Sequence, residues 1–162
     1  AVMIAGTAVV CAGGLALALS CDIRIASDKA RLGDTSGRFG LLPDEGGAWL
    51  FPRAMGLDRA LKMSLLAETY DAKSAMALGL VTEVVTHDAL EAETLKLAER
   101  IAAGAPLAAR LAKQMMKRGQ EMTLAHSLGD AALSVMVTNP SRDVREGVKA
   151  FFEKRAPKFE GK

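Results

Sequence analysis

Two stretches of the 162-residue sequence place together residue types that can do chemistry. The first is GLLPDEGG, residues 40–47, in which Asp44 and Glu45 stand between Pro43 and the pair Gly46–Gly47 inside an otherwise apolar run. A carboxylate with neighbours such as Leu41, Leu42 and Trp49 loses hydration, binds its proton more tightly, and becomes able to take and return a proton near neutral pH. The competing role is structural. Asp is favoured at a helix N-cap, acidic residues suit a first turn, and Glu45 fits that role well.

The second stretch is Gly13–Gly14, just ahead of LALALS. A helix that begins there presents backbone N–H groups with no partner of their own and a partial positive charge, which suits an oxygen that gains negative charge during a reaction. One such donor is commonly worth ~3 kcal/mol of transition-state binding. The same glycines also suit a tight strand-to-helix turn required by packing alone.

The elements that position these residues follow from periodicity. Residues 1–10 are apolar and rich in β-formers, Gly13–Gly14 breaks them, and a short helix is expected from about Gly14. CDIRIAS alternates and reads as a half-buried strand, and ARLGD repeats the theme. From Asp44 the pattern turns helical up to Gly56, LDRALKMSLLAE forms a second amphipathic helix, and a third runs from an Asp71 N-cap to a Gly79 stop. LVTEVVT reads as a strand. Residues 87–155 carry only helices: one capped by Asp88 with Glu91 in its first turn, one opening at Pro106, one from Leu124 to Val137, and one from Ser141. Met115, Met116, Met122 and Met136, with Leu111, Leu124, Leu128 and Leu133, form stripes expected to be core, with a subunit interface as the alternative.

Composition excludes several classes of function. Half the residues are hydrophobic, a quarter are charged, and the net charge is only +2, which describes a globular domain with a substantial core. One Trp, one Tyr and five Phe provide no base-stacking platform, so nucleic acid is not expected as a partner. Cys11 and Cys21 have no metal-ligand spacing, His87 and His126 are far apart, and no metal is expected; reduced, buried cysteines fit a cytoplasmic protein. The first twenty residues are apolar, but they lack a positive leader, contain Gly6, Gly13 and Gly14, and run directly into Asp22 and Arg24, so neither a signal peptide nor a membrane span is expected. The chain starts without Met in what reads as a strand, so it is expected to be a fragment of something longer.

AGGLALALSCDIRIAS, then ARLGDTSGRFGLLPDEGGAWLFPRAMG, AMALGLVTEVV and the ending REGVKAFFEKRAPKF together resemble the crotonase superfamily, the enoyl-CoA hydratase/isomerase family. The resemblance covers nearly the whole chain. It implies an α/β fold: residues 1–86 as the C-terminal part of a crotonase-like ββα spiral, and residues 87–162 as an α-helical trimerisation region that builds homotrimers or hexamers. It also implies a coenzyme A thioester as substrate, with no separate cofactor. Gly13 matches the glycine whose amide binds the thioester oxygen, with Gly14 beside it, and the second donor belongs to the family's N-terminal half.

Hydratases of this family use two glutamates. Ala16 and Ser36 occupy the matching positions, so both carboxylates are absent, and a serine with no adjacent base is a poor proton acceptor. Some relatives use an aspartate at the position of Asp44, where one carboxylate can move a proton between two carbons. Isomerase-type double-bond migration by Asp44 is therefore the expected chemistry. The alternatives are a hydratase or hydrolase with atypical residues, or a crotonase-fold module that binds without turnover. Phe151 and Lys154 match positions at which the closing helix meets the adenine and phosphate end of coenzyme A, although a solvated helix face with Phe151 packed inward would look the same.

Overall fold

The computed structural model describes residues 2–5 and 9–162. It divides into two compact units, Ala1–Leu97 and Ala98–Lys162.

In the first unit, consecutive strands alternate between two sheets. β1 (Val2–Ala5) pairs in parallel with β3 (Ile23–Ser27), and β2 (Val9–Cys11) pairs in parallel with β4 (Arg31–Gly33). The helix α1 (Gly13–Ser20) falls between β2 and β3. Each turn of chain thus lays down one strand in each sheet and then a helix, which is the ββα spiral that the resemblance implies. β6 (Glu83–Val85) extends the first sheet beside β3, and β5 (Thr69–Asp71) closes the second, antiparallel to β4.

Two expectations about strands need correction. Ile23 and Arg24 are partly buried and Ile25, Ala26 and Ser27 are all buried, so β3 does not alternate between a buried and an open face. It lies between two parallel neighbours, and a parallel sheet covered on both faces leaves no wet side for alternation to report. β5 was not expected, because a strand of three residues is defined by its partner rather than by a pattern of its own.

Three helices of this unit follow β4: α2 (Gly47–Met55), α3 (Leu57–Leu65) and α4 (Ala72–Ala77). α2 begins three residues after Asp44, because Gly46 takes a left-handed φ of 100° at the N-cap, a conformation that favours glycine. No side chain caps α2, so neither Asp44 nor Glu45 has the capping role. Asp71 does cap α4, its side chain accepting the Ser74 N–H at 2.7 Å, and Gly79 ends that segment at φ 84°. Leu15 and Leu19 of α1, Leu32 of β4, Phe51 of α2 and Met63 of α3 form the middle of the core. Ala16 is buried there as well.

α5 (Leu90–Ala102) follows a 3₁₀ turn at His87–Ala89, so Asp88 sits inside that turn and is not a cap; the Asp28 carboxylate draws the turn in by accepting the His87 N–H at 3.0 Å.

In the second unit α6 (Pro106–Gly119), with proline at its start, packs on α7 (Leu124–Thr138). α7 and α8 (Arg142–Phe152) are capped by Thr123 and Ser141, as the turn residues before them suggest. The expected core stripe is corrected here: Met116, Met122, Leu124, Leu128, Leu133 and Met136 are exposed. Helical periodicity reports that a face is apolar, not what covers it.

The end of the chain is tied back on the start of α8. Asp143, almost wholly buried, accepts the N–H groups of Glu160 and Gly161 at 2.8 Å each. Glu146 accepts both arms of Arg155, at 2.6 and 2.9 Å, and the Lys158 N–H at 2.8 Å. The Arg155 pairing holds the Glu146 carboxyl down at about 2.

Candidate functional site

The site is built on the turn into α1. Ala12 has φ 49° and ψ −123°, a conformation suited to glycine, and it is held there by its N–H bonding to the Gly33 carbonyl at 3.2 Å. Non-glycine residues in such regions cost roughly 1–3 kcal/mol and persist only where their surroundings over-determine them. The turn aims the first N–H groups of α1, beginning with Gly13, away from the helix, and no side chain caps them.

Glu45 reaches into this position. A Cβ added at Gly13 would meet three atoms of Glu45 first, with Oε1 at 3.1 Å and Cδ at 3.3 Å. A carboxylate and an uncapped helix start therefore share one small space, with charge and dipole of complementary sign. The loop that carries Glu45 is pinned from both sides: Pro43 accepts the Ala48 N–H at 3.0 Å, and Gly46 accepts the N–H groups of Trp49 and Leu50. Gly47 has no room for a side chain, since a Cβ there would lie 2.6 Å from the Phe51 ring and 2.8 Å from Pro43.

Of the residues singled out in the sequence, the structure gathers Gly13 with the 43–47 loop, but the loop residue at Gly13 is Glu45. Asp44, one residue earlier in the same turn, is exposed. Leu41, Leu42 and Trp49, expected to wall in Asp44, are themselves 64%, 73% and 51% exposed and form no buried apolar wall. Trp49 instead carries the Arg53 guanidinium over its ring at 3.7 Å. Gly14 is exposed on the turn.

Ser36 is buried in a way the sequence did not reveal. Its N–H donates to Oδ1 of Asp34 at 3.0 Å, and Asp34 is only 1% exposed. The other oxygen, Oδ2, is buried with no hydrogen-bond partner among the described residues. Asp34 directly follows Gly33, the residue that holds Ala12, so the same short segment supports the Gly13 turn and carries Ser36. The carboxylate two residues before Ser36 is thus bonded to that residue's backbone N–H through Oδ1. Its sequence signal was an Asp two residues before a Ser at a strand end, the pattern of a local side-chain-to-backbone turn.

Cys11, across β2 from Gly33, is half-buried, as is Cys21, and neither is fully buried as expected. Burial pushes the Cys11 thiol up from its ordinary value, against a hydrogen bond with Thr35 and the nearby Arg38. Among the described residues, no group of His, Cys, Asp and Glu could hold a metal ion. No helix among them is long and apolar enough to cross a membrane.

In the second unit, Phe151 is 79% exposed and meets Phe152 edge to face at 5.8 Å, so it is not packed inward. Lys154 lies beyond the end of α8 with φ 52°, its N–H bonded to the Phe151 carbonyl at 3.2 Å. The two residues are joined by a turn and are not on one helix face.

The chain has clear relatives. The sequence profile of the enoyl-CoA hydratase/isomerase family matches residues 2–162. (E)-benzylidenesuccinyl-CoA hydratase of Thauera aromatica is 40% identical over 92% of this chain and 58% of its own length. Human mitochondrial methylglutaconyl-CoA hydratase is 36% identical over 92% of this chain and 45% of its own. The crystal structure of an enoyl-CoA hydratase from Bacillus anthracis superposes with a TM-score of 0.92 at 34% identity, over 95% of this chain and 60% of that one. The chain thus spans about half the length of these curated relatives. Together with the ββα spiral, these matches show that the chain belongs to the enoyl-CoA hydratase/isomerase family of the crotonase superfamily.

Proposed function

We propose that this protein acts on enoyl thioesters of coenzyme A, polarising the thioester carbonyl with the Gly13 amide and moving a proton with a carboxylate of the 43–47 loop. The observation that carries this reading is the Glu45 carboxylate lying at Gly13, 3.1 Å from where a side chain would begin. As negative charge builds on the thioester oxygen, the helix start meets it, and a carboxylate beside it can take a proton from one carbon and return it to another. The result is isomerase-type double-bond migration. Glu45 is the base favoured by its place in the turn, and Asp44, next to it, is the second candidate.

Incubation of 3-enoyl-CoA with the protein in D₂O tests this. The expected result is 2-enoyl-CoA that retains much of the transferred hydrogen, since one carboxylate both takes and returns it, with Glu45→Gln or Asp44→Asn slowing its formation about 100-fold. Full activity in both variants sinks the reading.

Hydration is the second reading, favoured because the relatives named above are hydratases. In either case Phe151 and Lys154 are assigned to the adenine and phosphate end of coenzyme A, an exposed ring and a cation suited to a phosphorylated purine. The exposed apolar face of α7 is assigned to self-association as a trimer or hexamer, which sedimentation would measure.

A further inference from the structure

A buried carboxylate with one idle oxygen needs a physical explanation. Leaving such an acceptor unpaired costs about 1–3 kcal/mol, and native structures hold only a few such groups. Asp34 is such a group: it is 1% exposed, Oδ1 takes the Ser36 N–H at 3.0 Å, and Oδ2 has no partner among the described residues. Its position is not incidental. Asp34 follows the residue whose carbonyl fixes Ala12 and with it the Gly13 amide. A carboxylate that already holds the amide of Ser36 is within reach of the hydroxyl on that residue after one rotation about Cα–Cβ. Ser36 itself is only 5% exposed, so its hydroxyl is screened from bulk water.

We propose that Asp34 and Ser36 act as a pair that directs water in this site, with Asp34 a positioning residue that works through the serine hydroxyl. The inference rests on the reading of the protein as an enoyl-thioester enzyme and specifies how it would add water. As the water oxygen bonds to the β-carbon of the thioester, its proton passes to Ser36 Oγ while the Ser36 proton passes to Asp34 Oδ2. The α-carbon takes its proton from the protonated loop carboxyl. The proton on Asp34 then leaves through Ser36 Oγ to the water that next enters the site, and the exposed loop carboxylate takes one from solvent, so the net change is the addition of one water.

The test follows both products from 2-enoyl-CoA in H₂¹⁸O with the whole chain: the ¹⁸O-labelled 3-hydroxyacyl thioester from hydration, and the shifted enoyl isomer. Asp34→Asn keeps an oxygen for the Ser36 N–H, and Ser36→Ala keeps the N–H itself, so melting curves close to the parent are expected for both. The ratio of hydration to isomerisation is expected to fall about 100-fold in each variant. It should fall no further in the double variant, because the two residues form one relay, and Ser36→Thr, which keeps the hydroxyl, should restore most of it. A merely structural role would lower both products together and leave the ratio unchanged, which overturns the pair. Effects that multiply in the double variant overturn it too. Isomerisation with no water addition by the parent protein overturns the pair and leaves the enzyme reading standing; no turnover of either kind overturns both.

Discussion

The Glu45 carboxylate lies where a side chain at Gly13 would begin, Oε1 3.1 Å from the position of its Cβ, so that place is taken by a group of opposite charge to the helix start. This pairing decides the sign of the simplest substitution. In Gly13→Ala the new methyl would meet Oε1 at 3.1 Å, but the far end of an exposed glutamate can swing away. Alanine also favours the helix over glycine by up to about 1 kcal/mol. Stability should hold or rise slightly in a melting experiment, while turnover of an enoyl thioester should fall about 100-fold as the oxyanion position is blocked.

Gly33→Ala should do the reverse. A Cβ there would collide with the backbone carbonyl oxygen of Glu68 and lie 2.7 Å from Thr69 Cα, and neither atom belongs to a flexible side chain. β4 and β5 would have to separate, and the Ala12 anchor would be lost with them. A destabilisation of roughly 3 kcal/mol or more in denaturant titration is expected, with the site disordered as a consequence.

Asp71→Ala tests a local cap away from the site. The Asp71 side chain accepts the Ser74 N–H at 2.7 Å, which with a hydrogen bond to Ser74 holds its carboxyl below the ordinary range. Its loss should lower the melting temperature slightly without changing turnover.

The tail clasp should open in acid. The paired guanidinium of Arg155, and then the Lys158 N–H, hold Glu146 at about 2 against an ordinary 4.5. The unfolded chain therefore takes up this proton more readily than the native one. The contribution is complete above about pH 4.5, declines as the pH falls, and is gone near pH 2. Because the group is only partly buried, solvent screening keeps the effect small. Amide exchange at Lys158 should accelerate across that window, and Glu146→Gln should exchange fast throughout and lose the pH dependence.

The course of the fold was legible in the sequence because its signals are local. Gly13–Gly14, Asp71, Gly79, Pro106 and Ser141 each act on the chain within one turn of themselves, and the helices begin or end at or beside them. Strand alternation was legible only where one face stays wet, so β3, between two parallel neighbours, was read as half-buried when its end is buried throughout.

The sequence by itself determined that an uncapped helix start and a carboxylate-bearing loop exist, since residue type and spacing settle both. Which carboxylate reaches Gly13 was decided only by the tertiary structure. Asp44 and Glu45 are adjacent in one turn, and the left-handed Gly46 and the packing of Gly47 on Phe51 set the direction each side chain takes. Asp34 shows the same limit. Its neighbours in sequence say that it ends a strand, but burial of its second oxygen depends on the whole folded unit, and no local pattern carries that information.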